Sequence, residues 1–238
     1  MSGGCDNLIK IWNITAKNLI QLSILKEHSD WIWKIILLDK NHFASCAHDG
    51  MVFIWKDNNN NKFKRISTLQ HDAPVVSMLH LKKRNVLVTC FGGFLSVING
   101  ISFWNLDTCV NEHTLDGYGI DRPTHLIELS DGNIALSSRS TPHPIVIIDS
   151  NSYQVITFIH LEEDITCCSS LCMVNEYSFI YVYNGTLIQI SSKDYSIMFK
   201  TKEGKFNGFF GGIILLEKGT FFVIENNEGI SILKILFG

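Results

Sequence analysis

Short runs of apolar, β-branched and aromatic residues alternate with Gly, Asn and Asp along the whole chain of 238 residues. The clearest example predicts four strands, at about 31–38, 42–47, 51–55 and 63–69. Runs of this length between such turn residues are typical of β-strands. The dipeptide Asp49-Gly50 between two of the runs tolerates the positive φ of a type I′ hairpin turn. No segment shows a helical apolar period over three turns, so the pattern predicts an all-β protein.

The pattern repeats along the chain with a nearly constant period. The segment around Trp12 resembles those that end near Trp55 and Trp104, and these tryptophans are 43 and 49 residues apart. Apolar residues continue the series at Ile148, Ile190 and Leu233, at spacings of 44, 42 and 43 residues. A period of about 43 residues is typical of propeller blades, each made of four strands.

The second repeat contains the residues that carry a family resemblance. It has Glu27-His28 before its first strand, Asp39 in the next turn, Ala44 to Gly50 around a second turn, and Ile54-Trp55 at the end of its third strand. In these residues the chain resembles the WD40-repeat family, closely over residues 1–107 and by spacing alone over 108–238. The resemblance implies a β-propeller whose blades each contain a hydrogen-bonded set of His, Asp, Ser or Thr, and Trp.

Carried over residue by residue, the resemblance implies one complete tetrad and one partial tetrad. The complete set is His28, Asp39, Ser45 and Trp55, and the partial set is His71, Thr89 and Trp104, with Lys83 where an Asp is expected. The fourth repeat has Tyr118 and Ile148 in the His and Trp positions, and keeps Ser137. We therefore expect the later blades to be held by apolar packing, which suffices for folding when volume and pattern are kept.

The repeats predict a single propeller domain over residues 1–238. A partial blade over 1–24 precedes four blades at about 25–69, 70–115, 116–159 and 160–201, and a partial blade over 202–238 follows. This count of about six units indicates an incomplete seven-bladed ring or an irregular six-bladed one.

The start of the first strand in each blade is the candidate binding surface, because in a propeller these residues surround one mouth of the central channel. Asp30-Trp31-Ile32-Trp33 is the most prominent sequence, since alternation places both tryptophans opposite the core-facing Ile32. Aromatic residues and Arg are the types that anchor protein interfaces. The predicted rim comprises Trp31, Trp33, Pro74, Val76, Arg122, Thr124, Cys167, Ser169, Phe209 and Gly211.

No sequence motif indicates catalysis, a metal or a cofactor. The nine histidines occur without a Gly-x-Ser-x-Gly, His-Glu-x-x-His, P-loop or Gly-x-Gly-x-x-Gly pattern. The cysteines near Cys167, Cys168 and Cys172 lack the paired Cys-x2-Cys spacing of zinc sites. We therefore expect a protein that is not an enzyme and binds no cofactor. We also expect its thiols to be reduced and mostly buried, which indicates an intracellular, cytoplasmic protein.

The net charge of the chain argues against nucleic acid as its partner. The formal net charge is −3, from 20 Lys and Arg against 23 Asp and Glu, so the basic excess of a nucleic-acid binder is absent. No apolar run approaches the roughly 18 residues of a membrane helix. The expected function is a non-catalytic scaffold or adaptor that binds proteins or peptides. The alternatives are a substrate-recognition subunit of a larger complex, such as a ubiquitin ligase or kinase, and a truncated propeller without independent function.

Overall fold

The computed structural model describes the chain except for residues 16–17, 59–61, 94–95, 118, 140–143, 162–169, 184–185, 202–211, 218–219, 226–228 and 235–238. For the described part of residues 212–234, it describes the backbone alone. All regular secondary structure in this described part is β-strand, which confirms the all-β prediction.

Consecutive strands of the same sheet pair as antiparallel hairpins. In chain order they are β1 (Ile9–Ile14), β2 (Leu19–Leu25), β3 (Ile32–Leu37), β4 (His42–Ala47), β5 (Met51–Asp57), β6 (Phe63–Gln70), β7 (Val75–Leu81), β8 (Val86–Phe91), β9 (Gly100–Asn105), β10 (Asn111–Asp116), β11 (Pro123–Glu128), β12 (Ile134–Ser138), β13 (Ile145–Ile148), β14 (Val155–Ile159), β15 (Ser170–Asn175), β16 (Ser178–Tyr183), β17 (Thr186–Ser191), β18 (Ile197–Lys200), β19 (Gly212–Glu217), β20 (Thr220–Glu225) and β21 (Gly229–Lys234).

The strands form six antiparallel sheets, each made of consecutive strands. Strands β1 and β2 form the first sheet, β3–β6, β7–β10, β11–β14 and β15–β18 form four sheets of four strands, and β19–β21 form the last. This order of two strands, four full blades and three strands is the one that the repeats predict. The blade-like sheets confirm the WD40-like propeller fold class for the described residues.

The chain divides into two compact units, Met1–Tyr118 and Gly119–Gly238. In the first unit, buried side chains form one cluster around Ile9, Phe43 and Trp55 and another around Leu69, Met78 and Leu87. The second unit has a cluster that joins β12, β13, β16 and β17. The prediction of a single continuous domain stays a prediction.

Burial follows the position of a strand in its sheet. The second strands β8, β12 and β16 are buried at every residue, whereas the fourth strand β18 is exposed at every residue. Strands buried on both faces lose the alternation of apolar and polar residues and become continuously apolar. The third-strand positions Trp55, Ile148 and Ile190 are all fully buried, so apolar residues do replace Trp in the later blades.

In three of the four-stranded sheets, the first strand carries a β-bulge close to its start. The register shifts between Ile32 and Lys34 in β3, between Val75 and Ser77 in β7, and between Pro123 and His125 in β11. A bulge inserts one extra residue into a strand and redirects its side chain. The bulged residues are Trp33, Val76 and Thr124, which all belong to the predicted rim.

Candidate functional site

A buried hydrogen-bond network joins four residues of the β3–β6 sheet. The Trp55 Nε1–H donates to Ser45 Oγ at 2.9 Å, and His28 Nε2 lies 2.8 Å from the same oxygen. His28 Nδ1 lies 2.9 Å from Asp49 Oδ2. The Ser45 hydroxyl therefore donates to His28 Nε2, and the protonated Nδ1 donates to the carboxylate. Every polar side-chain group in this chain of contacts has a partner, which rigidifies the sheet.

The prediction that Asp39 belongs to this network is wrong, and Asp49 takes the place. Asp39 Oδ1 instead accepts the backbone N–H groups of Asn41 and His42 at 2.7 and 2.8 Å, and closes the turn before β4. The reason is the antiparallel pairing of β3 with β4. His28 precedes β3, so it meets the residues that follow β4, while Asp39 lies at the opposite end of both strands.

The β7–β10 sheet repeats the network without its carboxylate. His71 Nε2 lies 2.9 Å from Thr89 Oγ1, and Trp104 Nε1–H donates to the same oxygen at 3.1 Å. His71 Nδ1 is buried, and no described carboxylate bonds it. Burial disfavours the charged imidazole and lowers the pKa of His71 to about 4. Burial also lowers the pKa of His28, although Asp49 opposes the shift.

The second unit uses different contacts. Ser137 Oγ lies 2.8 Å from the Oγ1 of Thr124, which is the bulged residue of β11. Tyr118, which the sequence placed at the His position, lies outside the described residues. In the β15–β18 sheet, Tyr181 and Tyr183 stack with ring centroids 5.3 Å apart, and Gln189 Nε2–H donates to Ser178 Oγ at 2.9 Å. Beside these contacts, the unit has a cluster of buried apolar and aromatic side chains.

Two predicted rim residues form an exposed aromatic cluster with a third ring. Trp31 and Trp33 are 47% and 44% exposed, with ring centroids 6.2 Å apart at an interplanar angle of 67°. His48 lies 6.1 Å from Trp31 and 6.2 Å from Trp33, again between centroids. Trp33 Nε1–H donates to His48 Nδ1 at 3.4 Å. We call Trp31, Trp33 and His48 the aromatic cluster.

The backbone fixes the position of the aromatic cluster. The His48 N–H donates to the Trp31 carbonyl at 2.8 Å, so the residue after β4 lies beside the residue before β3. The bulge at Trp33 then allows both indoles to lie outside the core, while Ile32 between them is 7% exposed. The sequence indicated both tryptophans but not His48. Its position beside the Asp49-Gly50 turn was the signal that could have identified it.

The four other described rim residues lie at the starts of their strands and are less exposed than the two tryptophans. Pro74, Val76, Arg122 and Thr124 are half-buried. The Pro74 carbonyl accepts the N–H of Gly92 at 2.8 Å, and Thr124 is bonded to Ser137. Cys167, Ser169, Phe209 and Gly211 lie outside the described residues. The candidate site therefore centres on the aromatic cluster.

Within the described part of the chain, no three His, Cys, Asp or Glu side chains are grouped so that they could hold a metal ion. The five described cysteines, Cys5, Cys46, Cys90, Cys109 and Cys172, are free thiols. Burial raises the pKa of the Cys90 thiol to about 12 and also raises that of Cys46. These two thiols stay protonated and pack as small apolar side chains.

Comparison with known proteins gives partial matches to one group. The chain is 34% identical over 80 residues to the protein transport protein SEC13 of Yarrowia lipolytica, a match that covers 31% of this chain and 26% of that protein. It is 30% identical over 115 residues to the SEC13 homologue of Drosophila melanogaster, covering 45% of this chain and 31% of the relative. The match to the human SEC13 homologue is 43% identical over 60 residues, covering 23% and 19%. No family model matches the chain.

The repeated blade-like sheets and these partial matches define the class of protein. The chain is an all-β repeat protein of the WD40-like β-propeller class. It is similar to SEC13 proteins over stretches that span less than a third of the length of the three relatives named above. Within the described residues, the structure has no helix that is long and apolar enough to cross a membrane.

Proposed function

We propose that this chain is a non-catalytic scaffold that binds other proteins, and that it works in protein transport. The observation that carries the proposal is the exposed aromatic cluster on a sheet whose core is fixed by the buried His28 network. The names of the similar SEC13 proteins supply the process, protein transport.

The aromatic cluster has the composition of a protein interface. Trp is among the residue types that contribute most to binding energy, and rigid support limits the entropy lost on binding. Both indoles expose almost half of their surface, although the same blade buries Trp55 completely. Large exposed aromatic groups that lie together mark interaction sites more often than isolated apolar residues do.

The polar residues that could suggest catalysis have structural contacts instead. His28, Ser45 and Asp49 satisfy one another inside the sheet, and the Trp55 indole completes the set. His71 Nε2 and Trp104 Nε1 both bond Thr89 Oγ1 inside the next sheet. We therefore propose protein partners inside the cell, with no cofactor, no metal and no reaction.

The test is capture of partners by tagged chain from cells of its source. We expect Trp31→Ala with Trp33→Ala to lose specific partner proteins, identified by mass spectrometry, that the unchanged chain retains. Leu37→Ala is the matched control, because Leu37 lies at the other end of β3 and is 64% exposed. Circular dichroism and thermal unfolding verify that all three proteins are folded.

Retention of every partner by the folded double variant would refute the aromatic cluster as the binding surface. Equal losses from the double variant and Leu37→Ala would contradict it as well, because the loss would then not depend on the aromatic rings.

A further inference from the structure

We propose that the aromatic cluster and the Asp30 carboxylate together receive an arginine side chain of the partner protein. This inference deepens the proposed function and rests on it. The two indoles supply aromatic faces, His48 supplies a third ring, and Asp30 supplies the negative charge.

The two tryptophans are oriented so that they offer both a face and an edge. Their interplanar angle of 67° places the edge of one indole against the other, and almost half of each side chain stays exposed. A cation is attracted to the face of an aromatic ring, most strongly to Trp, when it lies within about 6 Å of the ring centroid. A guanidinium can also stack on a flat indole face, which a lysine ammonium cannot do.

A hydrogen bond joins the two heterocycles of Trp33 and His48. Trp33 Nε1–H donates to His48 Nδ1 at 3.4 Å, so Nδ1 is the acceptor in this arrangement. The contact holds the imidazole ring beside both indoles, with its centroid 6.1 Å from that of Trp31 and 6.2 Å from that of Trp33. The imidazole therefore adds a third aromatic ring to the surface that the guanidinium would contact.

Asp30 gives the surface around the aromatic cluster a negative charge. Its Oδ1 accepts the backbone N–H of Trp31 at 2.7 Å, which fixes the half-buried carboxylate directly beside the cluster. Segments 27–33 and 48–50 contain Glu27, Asp30 and Asp49 but no Lys or Arg. Lys34 follows immediately, yet its ammonium donates to Ser77 on the adjacent sheet at 3.0 Å.

The same sheet already contains an arginine held by this combination of groups. Arg65 Cζ lies 4.5 Å from the centroid of the Phe53 ring, and Arg65 Nε donates to a Glu27 carboxylate oxygen at 2.9 Å. An aromatic face and one carboxylate thus bind a guanidinium at the protein's own surface. The aromatic cluster and Asp30 offer the same two kinds of group, an aromatic face and a carboxylate. Segments 27–33 and 48–50 contain no Arg that could supply the guanidinium.

The test uses short blocked peptides as probes of the purified full chain. The peptide acetyl-Gly-Arg-Gly-amide is titrated while the indole Nε1–H signals of the five tryptophans are followed by NMR. Its neutral isostere, with citrulline in place of Arg, is the matched probe. We expect the Trp31 and Trp33 signals to shift, the buried Trp55 signal to stay, and citrulline to bind about two- to five-fold more weakly.

Asp30→Asn is the matched variant, because an Asn Oδ1 can still accept the Trp31 N–H while the charge is lost. We expect it to weaken binding of the arginine peptide and to leave that of the citrulline peptide unchanged. If Trp31→Ala or Trp33→Ala fails to fold, the citrulline comparison and Asp30→Asn decide the question on folded proteins.

Equal binding of the arginine and citrulline peptides would overturn the inference, as would stronger binding of acetyl-Gly-Glu-Gly-amide. The proposed function would survive that result if partner capture still depends on both tryptophans. Capture that is independent of the tryptophans refutes the binding surface, whatever the peptides show.

Discussion

The β3–β6 sheet and the β15–β18 sheet have the same four-strand order but different interiors. The first places His28, Ser45, Asp49 and Trp55 in one hydrogen-bonded chain. The second has Ile190 at the position of Trp55, and packs stacked Tyr181 and Tyr183 into its core. One backbone pattern thus tolerates two ways of filling its centre, provided that volume and alternation are kept.

The difference matters because the two interiors respond differently to small changes. A polar network requires every member, since a buried group that loses its partner costs more than the bond itself contributed. An apolar interior loses only contact and volume when one group is removed. The aromatic cluster lies beside the polar network, on the sheet with the more demanding interior.

The largest expected effect comes from removing the hydroxyl at the centre of the network. Ser45→Ala leaves both His28 Nε2 and Trp55 Nε1 without a buried partner, so we expect the free energy of unfolding to fall by about 2–3 kcal/mol. The matched change in the second sheet is Ser178→Ala, which removes the acceptor of Gln189 Nε2 and a bond to exposed Asn175. Urea unfolding followed by circular dichroism measures both.

We expect Ser178→Ala to cost about 1–2 kcal/mol, because one buried group, Gln189 Nε2, loses its partner, whereas water can replace the partner of exposed Asn175. Equal losses in the two variants would mean that the network is no more sensitive than the apolar sheet, and the comparison would fail.

The next effect is a pH dependence that comes from the incomplete network in the β7–β10 sheet. The pKa of His71 is lowered to about 4, whereas an unfolded His titrates near 6.5. Between these values the unfolded chain binds more protons, so stability falls as pH falls. From pH 7.5 to pH 5 we expect a loss of about 2 kcal/mol from this residue.

His71→Gln isolates the contribution of His71 to the pH dependence of stability, because it removes the titrating ring. Its urea midpoint is expected to change less between pH 7.5 and pH 5 than that of the unchanged protein. The same slope in both proteins would show that His71 is not the group responsible.

The smallest effect separates the two aspartates considered for the tetrad. Asp49 accepts hydrogen bonds from His28 and from the backbone N–H groups of Ser29 and Met51, so we expect Asp49→Asn to cost about 1 kcal/mol. The Asp39 side chain is 59% exposed, and Asp39→Asn is expected to change stability by less than about 0.5 kcal/mol. Thermal unfolding at pH 7 measures both, and a larger loss from Asp39→Asn would reverse the assignment.

Much of the fold could be predicted because its signals are local. The hairpin at Asp49-Gly50 and the apolar runs around it place β4 and β5 within a few residues of their observed bounds. At Gly50 the structure also explains the residue, which has a φ of 77° and would bring a Cβ within 2.7 Å of the His71 carbonyl. Turn chemistry and strand period need only neighbouring residues, so a single sequence contains them.

The site was only partly predictable because it joins residues that are distant in the chain. The sequence indicated His28, Ser45 and Trp55 but placed Asp39 beside them, although the strand order puts Asp49 there. It indicated Trp31 and Trp33 but not His48, which reaches them across the β3–β4 pair. Counting strands along the hairpin would have corrected the first error, because the residue before one strand meets the residue after the next.

The sequence by itself determined the repeat, its phase and the strands of each blade, because apolar period and turn residues act within a few positions. The tertiary structure alone decided which carboxylate reaches His28 and which ring joins Trp31 and Trp33. The bulge at Trp33 was also decided at that level, since strand register depends on the partner strand. Contacts between strands follow from pairing across the sheet, and pairing selects among side chains that the linear pattern leaves equivalent.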